Sequence, residues 1–141
     1  MLSTCSSKLS MVSQFGCPCC SGLKYGDCCG QYIDQKKTPQ TPEVLMRSRY
    51  TAYTLANIDY IFDTMRGEAL KAADRKASLQ WARAAQWLGL KILNVSVVSA
   101  DSQTGFVEFV ARYVQDQQPC NLQENSEFRK YGGRWYYVGK R

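Results

Sequence analysis

The sequence predicts an α+β protein: helices packed on one face of an antiparallel sheet, preceded by a small zinc-binding knuckle. Three observations carry this. Five of the seven cysteines fall within residues 17–29. Helical periodicity with N-cap signals occupies residues 41–85, and from about residue 90 the apolar period changes to two, with turn residues between the runs. Helices first and a run of strands afterwards indicate an α+β domain. At 141 residues, 45% hydrophobic and 21% charged, the chain suits one core, which at this size buries about 68% of the unfolded-chain surface without disulfides.

Residues 1–16 are rich in serine, lack periodicity and read as a disordered leader. They have neither the basic start nor the unbroken apolar stretch of a secretory signal. No run of 18 or more apolar residues occurs anywhere, so no membrane span is expected. With an odd cysteine total, this places the chain in a reducing, cytoplasmic compartment.

Residues 17–30 read C-P-C-C-S-G-L-K-Y-G-D-C-C-G, a C-x-C pair and a C-C pair separated by eight residues. Four thiolates on two short turns can surround one zinc at about 2.3 Å per Zn–S bond. The apolar side chains of any size in this stretch are Leu23 and Tyr25, so metal binding must offset the ordering entropy. An oxidised pair or a set of free thiols is the alternative. Four thiolates around zinc leave a local charge of −2, for which Lys24, Lys36 and Lys37 are the expected counter-charges.

Residues 31–41 form a polar connection, and the fold domain runs over 42–141. Thr41 is placed to N-cap a helix from 42 to about 56, with Pro42 in its first turn and Glu43 at the positive end of its dipole. At 100° per residue Ala52, Leu45, Ala56, Arg49, Tyr53, Met46 and Tyr50 share a face, with Arg49 near its centre. Asn57 can cap a second short helix ending before Gly67. Asp74 can cap a third over about 75–85, with Leu79, Ala82 and Trp81 turned inward. Four strands follow over about 90–99, 105–114, 121–131 and 134–139. In the first, Leu88, Leu90 and Ile92 alternate before the phase slips to Leu93, Val95 and Val97, which predicts a bulge near Asn94.

The composition also excludes chemistry. There is no histidine, so Ser-His-Asp hydrolysis, Cys-His nucleophiles and histidine-ligated metals are out of reach. Lysine and arginine exceed aspartate and glutamate by 18 to 12, a net charge of +6 that zinc thiolates would reduce to about +4.

Cys17-Pro18-Cys19, Ser21-Gly22, Lys24-Tyr25 and Cys28-Cys29-Gly30 resemble the SEC-C zinc motif, named from the tail of the preprotein-translocase motor ATPase. The resemblance implies Cys17, Cys19, Cys28 and Cys29 as the zinc ligands. This chain departs by having Cys20 where the motif has glycine, a fifth thiol that either replaces Cys19 or stands beside the metal. Thr41-Pro42-Glu43, Met46-Arg47-Ser48-Arg49-Tyr50, Trp87-Leu88-Gly89-Leu90, Phe106-Val107 and Gly133-Arg134-Trp135-Tyr136-Tyr137-Val138 are similar to the YchJ-like family over residues 17–139. That resemblance implies a nuclear transport factor 2-like cone, a curved sheet wrapped around helices, and no particular reaction. Relatives read T-W-H-P where this chain has Thr64-Met65-Arg66-Gly67.

Inside such a cone, strand alternation turns Leu122, Glu124, Ser126 and Phe128 inward. A buried Glu124 needs a partner, and an ion pair with Arg49 is the expectation. The alternative is a ligand pocket of Arg49, Tyr50, Tyr53, Trp87, Glu124 and Ser126, in which Glu124 acts as acid or base of an isomerase, dehydratase or hydrolase. A non-enzymatic role is favoured, with the knuckle docking on a protein or ribosomal partner, as the motif's other occurrences imply, and the cone holding a small ligand or partner. Nucleic-acid binding through the knuckle and the basic edge of Arg129, Lys130, Arg134, Lys140 and Arg141 is the third reading.

Overall fold

The computed structural model describes residues 16–141; the leader expected over 1–16 lies, but for its last residue, outside them. A 3₁₀ turn at Tyr25–Asp27 leads into α1 (Gly30–Ile33), so the expected connection begins with a helical turn. Then come α2 (Pro42–Thr54), α3 (Ile58–Asp63), α4 (Gly67–Ala72) and α5 (Arg75–Ala84). The strands β1 (Gln86–Val95), β2 (Thr104–Gln115), β3 (Gln118–Tyr131) and β4 (Arg134–Lys140) form one antiparallel meander in that order.

The caps act as the sequence requires. Thr41 Oγ1 accepts from the Val44 amide at 3.2 Å, Asn57 Oδ1 from Tyr60 at 3.1 Å and Asp74 Oδ1 from Ala77 at 3.1 Å, satisfying amide donors that a helix start leaves open. The short helix α4 carries no side-chain cap and buries no residue, so neither a cap nor a periodic apolar face announces it.

The sheet carries register shifts between Trp87 and Gly89, between Ile92 and Asn94, and between Glu127 and Phe128. Such shifts bend a strand and raise its twist, which lets the sheet close over α2. The second lies where the phase slip placed it. Beyond it, however, Leu93, Val95 and Val97 are exposed, Val97 at 97%. The strand ends at Val95, four residues before the expected end, so Val97 lies outside the sheet. Leu45, Ile61, Val107 and Phe128 are fully buried between the layers. At Gly105 the layers approach closely: a β-carbon there would come within 2.6 Å of Pro42 Cγ. The start of α2 therefore rests directly on β2. Met65 pairs with Tyr137 in an isolated bridge, the Tyr137 amide donating to the Thr64 carbonyl and the Arg66 amide to the Tyr137 carbonyl, each at 2.9 Å. The loop after α3 thereby fixes the position of Tyr137 on β4.

Candidate functional site

The first turn of the cysteine segment is closed by the Cys17 amide donating to the Leu23 carbonyl at 2.8 Å and by the Cys20 amide donating to the Cys17 carbonyl at 3.1 Å. The second is closed by the Cys28 amide donating to the Tyr25 carbonyl at 3.0 Å. Gly30 is required there: a β-carbon would stand 2.8 Å from both the Tyr25 ring and the Tyr25 carbonyl oxygen. Cys20, where the resembled motif has glycine, has φ 64°, a conformation glycine adopts without strain.

These turns bring the Sγ atoms of Cys17, Cys19, Cys28 and Cys29 within 4.8 Å of one another. Cys20 does not belong to that group. Tetrahedral ligation at about 2.3 Å requires sulfur separations of about 3.8 Å. Cys19 and Cys28 lie 3.6 Å apart, and Cys28 and Cys29 lie 4.0 Å apart. Without a cation the thiols can only share protons. Hydrogen bonds from Cys19 and then Cys29 hold the Cys17 thiol down to about 3, while hydrogen bonding to Cys17 and then to Cys19 pushes Cys29 far above its ordinary range. All four can ionise together only around a positive ion, so the donor set fits a metal.

Helix α2 completes the surroundings. The Thr51 hydroxyl donates to Cys29 Sγ at 3.2 Å and lies 3.7 Å from Cys17 Sγ; the Ser21 hydroxyl lies 3.1 Å from Cys28 Sγ. Arg47 Nη1 donates to the Cys19 carbonyl at 2.9 Å and stands 3.8 Å from its Sγ, while its Nε donates to Glu43 at 3.0 Å. The cation against the cluster is thus Arg47, and not Lys24, Lys36 or Lys37, all three of which are exposed. Knuckle and helices share one core: Cys17, Cys19, Tyr25, Cys29 and Ile33 belong to the same cluster as Leu45 and Tyr50.

The other face of α2 looks into a cavity of about 130 Å³. Arg49, Tyr50, Tyr53, Trp87, Glu124 and Ser126 all line it, with Met46, Trp81, Phe109, Ala111, Leu122 and Tyr137. Trp81 was legible only as an inward residue of α5, and Tyr137 only as part of the run 134–139 read as the last strand. Tyr50, Tyr53, Trp81 and Trp87 pack edge-on or tilted at centroid distances of 5.0–5.9 Å.

The expected Arg49–Glu124 ion pair is not formed. Arg49 Nη1 donates to the Ile61 carbonyl and to Thr64 Oγ1, each at 2.7 Å, and its guanidinium carbon lies 4.7 Å from the Tyr137 ring centroid. Glu124 Oε2 accepts from Ser126 Oγ at 2.6 Å and from the Tyr137 hydroxyl at 2.9 Å. Tyr137 thus stands between the two charges, its ring on the cation and its hydroxyl on the anion. Burial lowers the Arg49 pKa, and burial followed by the Glu124 charge raises that of Tyr137, so the phenol remains a donor.

A helix-filled antiparallel sheet with a four-cysteine knuckle on its first long helix defines a nuclear transport factor 2-like protein carrying a SEC-C motif. Residues 41–140 match the family model described as YchJ, middle NTF2-like domain. A UPF0225 protein of Pectobacterium carotovorum is 40% identical over 125 residues, covering 86% of this chain and 80% of that protein. Another, of Geobacter sulfurreducens, is 40% identical over 122 residues, covering 86% and 76%. Among solved structures, a SEC-C motif containing protein from Rhodopseudomonas palustris superposes with a TM-score of 0.81 at 36% identity, covering 90% of this chain and 98% of that one. One from Psychrobacter arcticus gives 0.77 at 28% identity, covering 90% and 82%. The chain belongs to the YchJ family of UPF0225 proteins.

Proposed function

We propose that this is a non-enzymatic, cytoplasmic zinc protein whose knuckle docks on a protein or ribosomal partner and whose cone holds a small ligand. The observation that carries it is the four-cysteine cluster buttressed by Thr51 and Arg47. Four thiolates fill a tetrahedral zinc shell and leave no position for substrate, which is the pattern of a structural site. No helix among the described residues is long and apolar enough to cross a membrane. Between the cysteine turns the knuckle presents Leu23, 53% exposed, beside the exposed Lys24. An apolar side chain flanked by a cation suits an acidic protein or ribosomal surface.

Nucleic-acid binding by stacking is less favoured, because the rings it would use already have cations. Arg66 lies 4.5 Å from the Tyr136 centroid and Lys130 lies 5.1 Å from that of Trp135. An enzymatic role for Glu124 retains one supporting observation: its Oε1 makes no hydrogen bond among the described residues.

Protein purified without added metal should contain one equivalent of zinc by elemental analysis. It should co-sediment with purified bacterial ribosomes or a purified protein partner in a manner weakened by Leu23→Asp. Absence of zinc removes the structural-metal reading, and co-sedimentation unaffected by Leu23→Asp removes the knuckle as the docking element.

A further inference from the structure

The polar corner of the cavity is incompletely used. A guanidinium has five N–H donors, yet both hydrogen bonds that Arg49 makes within the described residues leave from Nη1. Glu124 receives both of its bonds on Oε2, leaving Oε1 open. The one side-chain N or O atom sealed from solvent without a partner among the described residues is Arg134 Nε. The spare N–H groups of Arg49 and Oε1 of Glu124 are therefore not locked in packed protein, and both residues line the cavity. Its remaining wall is apolar and aromatic, from Met46, Tyr50, Tyr53, Trp81 and Trp87.

From these features we infer that the cavity binds a neutral carboxamide or lactam borne on a single flat ring. The inference deepens the small-ligand reading above and rests on it. Size comes first. A volume of about 130 Å³ is close to the roughly 150 Å³ that accommodates one benzene ring. Charge comes second. The cavity already holds one cation and one anion, so a neutral ligand leaves them balanced, whereas an ionic ligand adds an uncompensated charge in an apolar enclosure. Hydrogen bonding comes third. Arg49 offers only donors and ionised Glu124 only acceptors. Both are answered by an amide carbonyl facing Arg49 and an amide N–H facing Glu124 Oε1. The aromatic walls then offer edges and faces to the ligand's ring.

The test titrates the zinc-loaded full chain with benzamide, toluene, benzoate and benzylammonium while following the Met46 methyl resonance. Benzamide should shift it saturably and bind at least about tenfold more tightly than the other three, since hydrogen bonds to charged groups are being gained. Glu124→Gln should lower benzamide affinity by a similar factor and leave toluene unaffected, while the spectrum reports that the fold is intact. Toluene binding as tightly as benzamide would reveal a merely apolar hole. Tighter benzoate would reveal an anion site governed by Arg49, and tighter benzylammonium a cation site. Each of these overturns the amide class while leaving a ligand cavity. No shift with any of the four, on a folded spectrum, overturns the cavity reading itself.

Discussion

Arg49 lies face-on to the ring of Tyr137, its guanidinium carbon 4.7 Å from the ring centroid, and makes no ion pair with Glu124 among the described residues. The tyrosine keeps both charges in one cavity without contact. Consequences for stability follow directly, since a buried cation held by a carbonyl, a hydroxyl and a ring loses little when the distant carboxylate is removed.

Arg49→Met should destabilise by on the order of 3 kcal/mol, because the Ile61 carbonyl and Thr64 hydroxyl lose a charged donor. Glu124→Leu should act almost independently, with a coupling energy below about 1 kcal/mol in the double mutant. Denaturant titration of the four proteins measures it. Recovery of most of the single-mutant losses in the double mutant would show a direct buried pair instead.

Tyr137→Phe keeps the ring under Arg49 and removes the donor to Glu124. A loss of about 1–2 kcal/mol is expected. Tyr137→Leu should lose roughly a further 1–2 kcal/mol with the cation–π contact. Equal losses for the two variants would mean that the ring contributes nothing beyond its hydroxyl.

Thr51→Val preserves shape and removes the hydroxyl that donates to Cys29 Sγ at 3.2 Å. Metal affinity, measured by competition with a chromophoric chelator, should fall about 10–100-fold as for other outer-shell partners. Cys28→Ser should lose the bound metal altogether. A variant that retains a full equivalent would show that Cys28 is not a ligand.

Two glycine substitutions should separate knuckle from cone. Gly30→Ala drives a β-carbon into Tyr25 and should weaken metal binding, whereas Gly105→Ala drives one into Pro42 and should lower the unfolding midpoint at unchanged metal content. Overpacking of this kind typically costs about 1–3 kcal/mol. Identical effects of the two on metal content and on unfolding would contradict their separate placement.

Because Thr51 and Ala52 are fully buried on a helix that carries the knuckle, a chain of residues 42–141 should still unfold cooperatively, with a lower midpoint than the full chain. Calorimetry of both reports the difference. An unchanged midpoint would mean that the knuckle lends the cone no stability.

What the sequence determined by itself was local. Thr41, Asn57 and Asp74 announce three helix starts because a cap satisfies amides only two or three positions ahead. The cysteine spacing announces a cluster because its turns close within fourteen residues of chain. The phase slip after Ile92 announces a bulge because side-chain alternation has period two. The cone itself came through resemblance to a family. What the tertiary structure alone decided was which distant groups meet. Arg47 reaches Cys19 across 28 positions and Thr51 reaches Cys29 across 22, so the nearer lysines were the natural but mistaken choice. Arg49 was legible as a cation on an apolar face and Glu124 as an inward carboxylate. Opposite charges in low dielectric favoured pairing them, but the partners of each were fixed by where the loop after α3 binds β4. That bridge at Met65 sets Tyr137 between them, and no periodicity in either segment records it.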